Sequence, residues 1–225
     1  MTSASIVGLV IVWGGIGLLI SPASRLLGDP RRLSAHILGQ IVLWVLFAGI
    51  LVLVLKWERE PLTSLWLQPF RSSSIVWGVL YAAFALVVVM PLRELARRAV
   101  GLPGFAGGME RVLALPLWFR VAAAVTAGIV EDTLFLGFSF TRLMALTHSL
   151  WIAAAVTLIA TAAVHIPNWG AGPSLSFLVG GIPAVAFFVW RNDLLAMIVS
   201  HACIDVWGIA VTPLFSRWWL DRRYS

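Results

Sequence analysis

Two carboxylates, Glu131 and Asp132, stand side by side in the middle of an apolar run from about Leu117 to Phe140. That run is long enough to cross a bilayer. An ionisable side chain at mid-bilayer depth costs several kcal/mol, roughly 2.5–3.5 on insertion scales, so it is kept where it has a partner or a task. Later apolar runs carry His165, in TAAVHIPNW, and the pair His201 and Asp205, in SHACIDVW. A carboxylate in such a setting can take a proton from water. A neutral imidazole can hold that water or share the proton, and a second imidazole can donate to a developing oxyanion. Glu131, His165, His201 and Asp205, with Asp132 beside them, therefore make a water-activating hydrolase inventory. The same donor set could bind a divalent metal, but no HExxH makes that reading specific, and we assign no cofactor or metal. A lone intramembrane carboxylate is about as often a proton or ion relay, so transport competes with hydrolysis at this point.

Helical geometry narrows the arrangement. His201 and Asp205 are four residues apart and share one face. Glu131 and Asp132 are about 100° apart around the axis, so only one can point straight at a given centre, and the residues alone leave them equal. At about 1.5 Å per residue, Glu131 and His201 fall near the middle of their spans. Asp205 lies one turn further toward the inner side, and His165 about 9 Å from its span's centre in the same direction. We expect Glu131, His165, His201 and Asp205 to converge on one cavity between the midplane and the inner leaflet.

The elements that carry these groups are membrane spans. The 225 residues are 60% hydrophobic and only 12% charged, with a mean hydropathy of +0.96. A soluble domain would carry about 25% charge. The expected class is all-α, a polytopic transmembrane bundle of about seven spans forming a single domain over residues 1–225. Expected spans run over about 4–21, 35–55, 75–92, 118–140, 150–165, 175–190 and 194–211. Pro22, Gly28 and Pro30 break the first, which we read as a retained span and not a removed signal peptide. A charged loop covers 56–74, and a basic exit with Arg93, Arg97 and Arg98 follows the third span. Gly101 to Gly108 reads as loop, with a short interfacial helix at 109–115. The fourth span is expected to end before Arg142. Ser149 and Asp193 are good N-caps, Arg191-Asn192-Asp193 a tight turn, and Pro167 to Pro173 another turn. The tail RWWLDRRYS places tryptophans at the interface.

The net charge of +6 reads as basic cytoplasmic loops. Nothing in it suggests nucleic-acid binding. With the N-terminus outside, eleven of the sixteen Lys and Arg lie on the cytoplasmic side and five outside, which favours N-out, C-in. Cys203, the single cysteine, cannot form an internal disulfide and reads as a small buried apolar residue. His36 and His148 sit at span entrances and read as interfacial.

Order and spacing add a resemblance. The chain resembles the CAAX protease and bacteriocin-processing (CPBP, or Abi) family of intramembrane endopeptidases. That family's Glu-Glu-x-x-x-Arg motif is matched by EDTLFLG, Glu131 to Gly137. Its Phe-x-x-x-His motif is matched by Thr161 to His165, and its His-x-x-x-Asn/Asp motif by His201 to Asp205. GGIPAVAFFVWRNDLLAMIVSHACIDV also resembles the family's glycine-led helix, tight turn and His-bearing helix. The likeness covers about Leu117 to Gly208, with a catalytic core expected at about 117–211. It implies that Glu131 activates water with His165, that His201 and Asp205 form the oxyanion site, and that Asp132 takes the second acidic position. It also implies a peptide or membrane-protein substrate, of bacterial type since nothing here points to prenylation, and a bacterial cytoplasmic membrane.

Two positions depart from the family pattern. Leu136 replaces the motif arginine and Thr161 the aromatic. An ionised Asp132 without that arginine would be costly in an apolar site. We therefore expect Asp132 to hydrogen-bond a hydroxyl or amide and carry a proton, or another cation to substitute. Arg142 is too far along the helix, so Arg120 or Arg98 would have to fold back. The competing functions are a weakened family member that binds a peptide or partner, as in bacteriocin self-immunity, and a small transporter. The last expects inverted repeats and broken helices, which are not evident.

Overall fold

The computed structural model describes residues 3–20, 32–104 and 108–214. The break at Pro22, Gly28 and Pro30 and the tail from Arg217 lie outside these residues. All regular structure among them is helical. We label the helices α1 (Ser3–Ile20), α2 (Leu33–Glu58), α3 (Ser72–Ala99), the short α4 (Gly108–Leu113), α5 (Leu117–Thr147), α6 (Leu150–Trp169), α7 (Ala171–Arg191) and α8 (Leu194–Leu214). Helices α2, α3 and α5 to α8 are six helices long and apolar enough to cross a membrane, and α1 adds a further apolar helix. Large apolar side chains such as Val45, Val87, Trp151 and Ile182 face outward, as a lipid-facing surface requires. The protein is a multi-pass integral membrane protein.

Helix α5 is the centre of the bundle. Its apolar window is 61% buried, against 39% or less in the other five spans. Helix α8 packs against α3 on one side and α5 on the other. Glycines permit both approaches. A Cβ at Gly78 of α3 would stand 2.7 Å from the Ala196 carbonyl oxygen, and one at Gly128 of α5 2.8 Å from that of Ile198. Small residues at such crossings let backbones meet closely where no hydrophobic effect drives helices together. Gly128 lies one turn before Asp132, so the close crossing brings the His201 segment alongside the carboxylates.

Several expected boundaries are corrected. Helix α5 does not end before Arg142 but continues to Thr147, with Arg142 buried. The reason is that Thr133–Phe140, all buried, is wound with i→i+5 hydrogen bonds, and an α-helical turn resumes after it. Arg142 is neutralised in place by Glu58, at 2.7 Å, which lets the helix run on. Helix α3 continues through the arginines expected to follow it. Pro167 lies inside α6, and Gly172 and Pro173 lie inside α7; the turn is confined to Gly170, whose φ is 86°. The charged stretch at 56–74 is helical to Glu58 and has a 3₁₀ turn at Leu62–Leu65. The short helix expected at 109–115 is Gly108–Leu113. Ser149 and Asp193 cap α6 and α8 as expected, accepting from the Ile152 and Ala196 amides. Asn192, with φ 49°, makes the tight turn between α7 and α8.

Candidate functional site

A cavity of about 200 Å³ lies between α3, α5, α6, α7 and α8. Its walls are largely apolar: Phe135, Leu136, Leu158, Val185 and Met197 contribute. The polar groups on it are Tyr81, Arg93, Glu131, Asp132, Thr157, Thr161, Ser200 and His201. Glu131 and Asp132 both reach it. The two adjacent side chains engage different partners on different helices: Glu131 faces His165 and Asp132 faces His201, as their separation of about 100° around the axis requires.

Glu131 meets His165 of α6, Oε2 to Nε2, at 3.5 Å. The other ring nitrogen of His165 lies 2.6 Å from the Thr161 carbonyl oxygen. A carbonyl can only accept, so Nδ1 carries a proton and Nε2 is the nitrogen turned toward Glu131. Thr161, at the position where the motif has an aromatic residue, spends its hydroxyl on the Thr157 carbonyl, at 2.9 Å. The ring that meets His165 instead comes from α7: Phe177 stands edge-on to it, with centroids 5.3 Å apart.

His201 is held from both sides. Its Nδ1 donates to Asp132 Oδ1 at 3.0 Å, and its Nε2 lies 3.6 Å from Asp205 Oδ2. The second distance is a charge contact and not a good hydrogen bond. Asp132 Oδ2 and Thr157 Oγ1 are buried without a hydrogen-bond partner among the described residues. Among the same residues no group of three or more His, Cys, Asp and Glu is arranged to hold a metal ion.

The structure thus brings together all five residues singled out by sequence, though not as a single ring. Glu131, Asp132 and His201 line the cavity. His165 and Asp205 stand behind them, in contact with Glu131 and His201. Of the two compensations expected for Asp132, the geometry corresponds to the second, a substitute for the motif arginine. Among the described residues its partner is neither a hydroxyl nor an amide, and no arginine folds back on it. Arg142 is engaged by Glu58, Arg98 by Glu94, and Arg120 donates to the Ile209 carbonyl at 2.7 Å. The imidazole of His201 takes the place of the guanidinium. It can do so because the Gly128 crossing brings the His201 segment of α8 alongside Asp132.

Sequence reasoning missed Tyr81, Arg93 and Phe177. Tyr81 is buried and stacked on Phe187, with centroids 4.3 Å apart. Arg93, in sequence part of the basic exit expected after the third span, lines the cavity. A tyrosine in an apolar run and an arginine at its end carry no spacing signal that assigns them to a site.

Residues 113–207 match the model of the family described as type II CAAX prenyl endopeptidase Rce1-like. No curated protein and no solved structure matches the chain.

Proposed function

Because the chain carries a domain of the Rce1-like type II CAAX prenyl endopeptidase family over residues 113–207, and that family implies an intramembrane protease, we propose that it hydrolyses a peptide bond with a water activated by Glu131 and His165. The observation that carries this reading is the Glu131–His165 pair. At 3.5 Å the two atoms are too far apart for a good direct bond and lie side by side, so a water seated against both can give its proton to either. As the water attacks the scissile carbonyl, its proton passes to this pair, and the leaving amine receives it on collapse of the tetrahedral intermediate.

His201 is the oxyanion donor in this scheme. With Nδ1–H given to Asp132, the ring acts as an imidazolium whose charge Asp132 and Asp205 balance, and its second proton, on Nε2, is the one offered to the carbonyl oxygen as charge builds. One such donor contributes about 2.7–4 kcal/mol to the transition state. The apolar walls of the cavity strengthen that interaction by excluding water. Asp132 and Asp205 act through His201, holding its ring in place, and are positioning residues. The Lys and Arg distribution supports an N-outside, C-inside topology in a bacterial cytoplasmic membrane, with the site in the inner half of the bilayer. The substrate in this reading is a peptide or membrane-protein segment.

The test is cleavage of a peptide library by the purified protein in detergent, run in ¹⁸O-labelled water and read by mass spectrometry. Products should carry one labelled oxygen on the new carboxyl terminus. Binding of peptides without any cleavage would favour the binding-protein reading instead.

A further inference from the structure

We propose that Arg93 is the anion-recognising residue of the cavity. Its guanidinium holds a substrate carboxylate, either the C-terminus or an acidic side chain, within about three residues of the scissile bond. The position relative to the bond rests on the peptidase reading above; the preference for a carboxylate does not.

The neighbouring acid, Glu94, is taken by Arg97 and Arg98, at 2.7 and 2.6 Å. Among the described residues no carboxylate lies within ion-pair distance of Arg93 and it makes no hydrogen bond; the charges of Glu94 and Asp205 act on it only at longer range. Its guanidinium instead lies over the Phe177 ring, 4.7 Å from the centroid, and its stem runs past Gly180 of α7. A guanidinium presents five donors in a planar fork suited to a carboxylate. Arg93 is only partly buried, and on an apolar-walled cavity that fork stands open to a ligand.

The same Phe177 ring also meets His165. The two ring-centred distances, 4.7 and 5.3 Å, limit the guanidinium to roughly 10 Å from the His165 ring, about three extended residues. The acids of the site are Glu131 and Asp132 on the cavity and Asp205 behind His201. A substrate carboxylate is repelled by those acids and attracted to Arg93, the guanidinium on the lining. The charge layout therefore sets which way a peptide enters.

The experiment uses the full chain in detergent with Glu131→Gln, so that bound peptides are not cut. The probes are fluorescein-labelled apolar hexapeptides, followed by anisotropy. One ends in a free carboxylate and one in an amide; two further amidated peptides carry an internal Asp or Asn. With Arg93 present, the acid should bind about ten- to a hundredfold tighter than its neutral match. Arg93→Gln should remove that ratio, and Arg93→Lys should restore part of it. The pair that shows the ratio identifies the source as terminus or side chain. An unchanged ratio in Arg93→Gln, or no acid preference with Arg93 present, overturns the proposal. If acid preference is found but the protein with Glu131 intact cuts none of these peptides, the peptidase reading falls and Arg93 keeps its role. If that protein cuts acid and amide peptides equally well, the reverse holds.

Discussion

His201 Nδ1 and Asp132 Oδ1 lie 3.0 Å apart although the residues are 69 positions apart in sequence. This bond ties α8 to α5 across the cavity. It converts the second carboxylate of the Glu131-Asp132 pair from an unpaired liability into the seat of the imidazole proposed as oxyanion donor. It also separates the two acids by role: one faces His165, the other His201.

Glu131→Gln is expected to lower kcat by about 10²–10⁴, the range for loss of a general base. Gln keeps the volume and removes the proton acceptor. Single-turnover cleavage of a substrate peptide, beside a thermal melt showing retained folding, is the measurement. Cleavage at the unsubstituted rate would remove Glu131 from the mechanism.

Asp132→Asn and Asp132→Ala should differ. Asn still offers an oxygen to His201 Nδ1, so its effect should be mild. Ala leaves a buried donor without an acceptor, a penalty of about 1–3 kcal/mol, or roughly ten- to a hundredfold in rate if felt at the transition state. Both losses should fall on kcat more than on KM. If Asp132→Asn is dead while Glu131→Gln works, the two carboxylates exchange roles.

The Arg142–Glu58 pair, with side chains 9% and 3% exposed, predicts a stability effect separate from catalysis. Glu58 also accepts from Ser5, and Arg142 reaches Ser64. Glu58→Leu alone should cost about 3–5 kcal/mol, because it strands a buried cation. Adding Arg142→Met should recover much of that loss. Unfolding in detergent reads both, and equal destabilisation of the single and double variants would show that the charges are not coupled.

Gly128→Ala should damage the site through the backbone. The added Cβ would stand 2.8 Å from the Ile198 oxygen and 3.0 Å from the Ala202 nitrogen. Neither atom can move without displacing α8. A cost of about 1–3 kcal/mol is expected, the range for overpacking. Peptide cleavage per folded molecule should also fall, since His201 is carried on the displaced segment. A variant that melts and cleaves like the unsubstituted protein would show that the crossing tolerates a methyl group.

Much of the architecture was legible because a bilayer allows few solutions. A run of about 20 apolar residues must be a helix, since every backbone polar group has to be satisfied internally. That constraint makes composition a direct reporter of α2, α3 and α5 to α8. It also makes intramembrane Glu131, Asp132, His165, His201 and Asp205 conspicuous, as each is costly where it stands. The family likeness read over about Leu117 to Gly208 coincides with the matched residues 113–207. Boundaries were less legible where a helix outlasts its apolar run. Arg142 looked like an end signal, and only Glu58, 84 residues earlier, makes its burial tolerable.

Pairing was decided by the tertiary structure. Sequence alone determined that the chain crosses the membrane repeatedly, that His201 and Asp205 share a face, and that two carboxylates and two histidines lie at similar depth. Those facts follow from local hydropathy and helical periodicity, which act within one element. It could not determine that Asp132 takes His201, that Phe177 touches both His165 and Arg93, or that Arg93 faces inward. Such relationships depend on how helices are rotated and how closely they cross. Gly78 and Gly128 control the crossings, and the i→i+5 segment after Asp132 resets the phase of α5, so contacts between helices could not be read from the phase within any one of them.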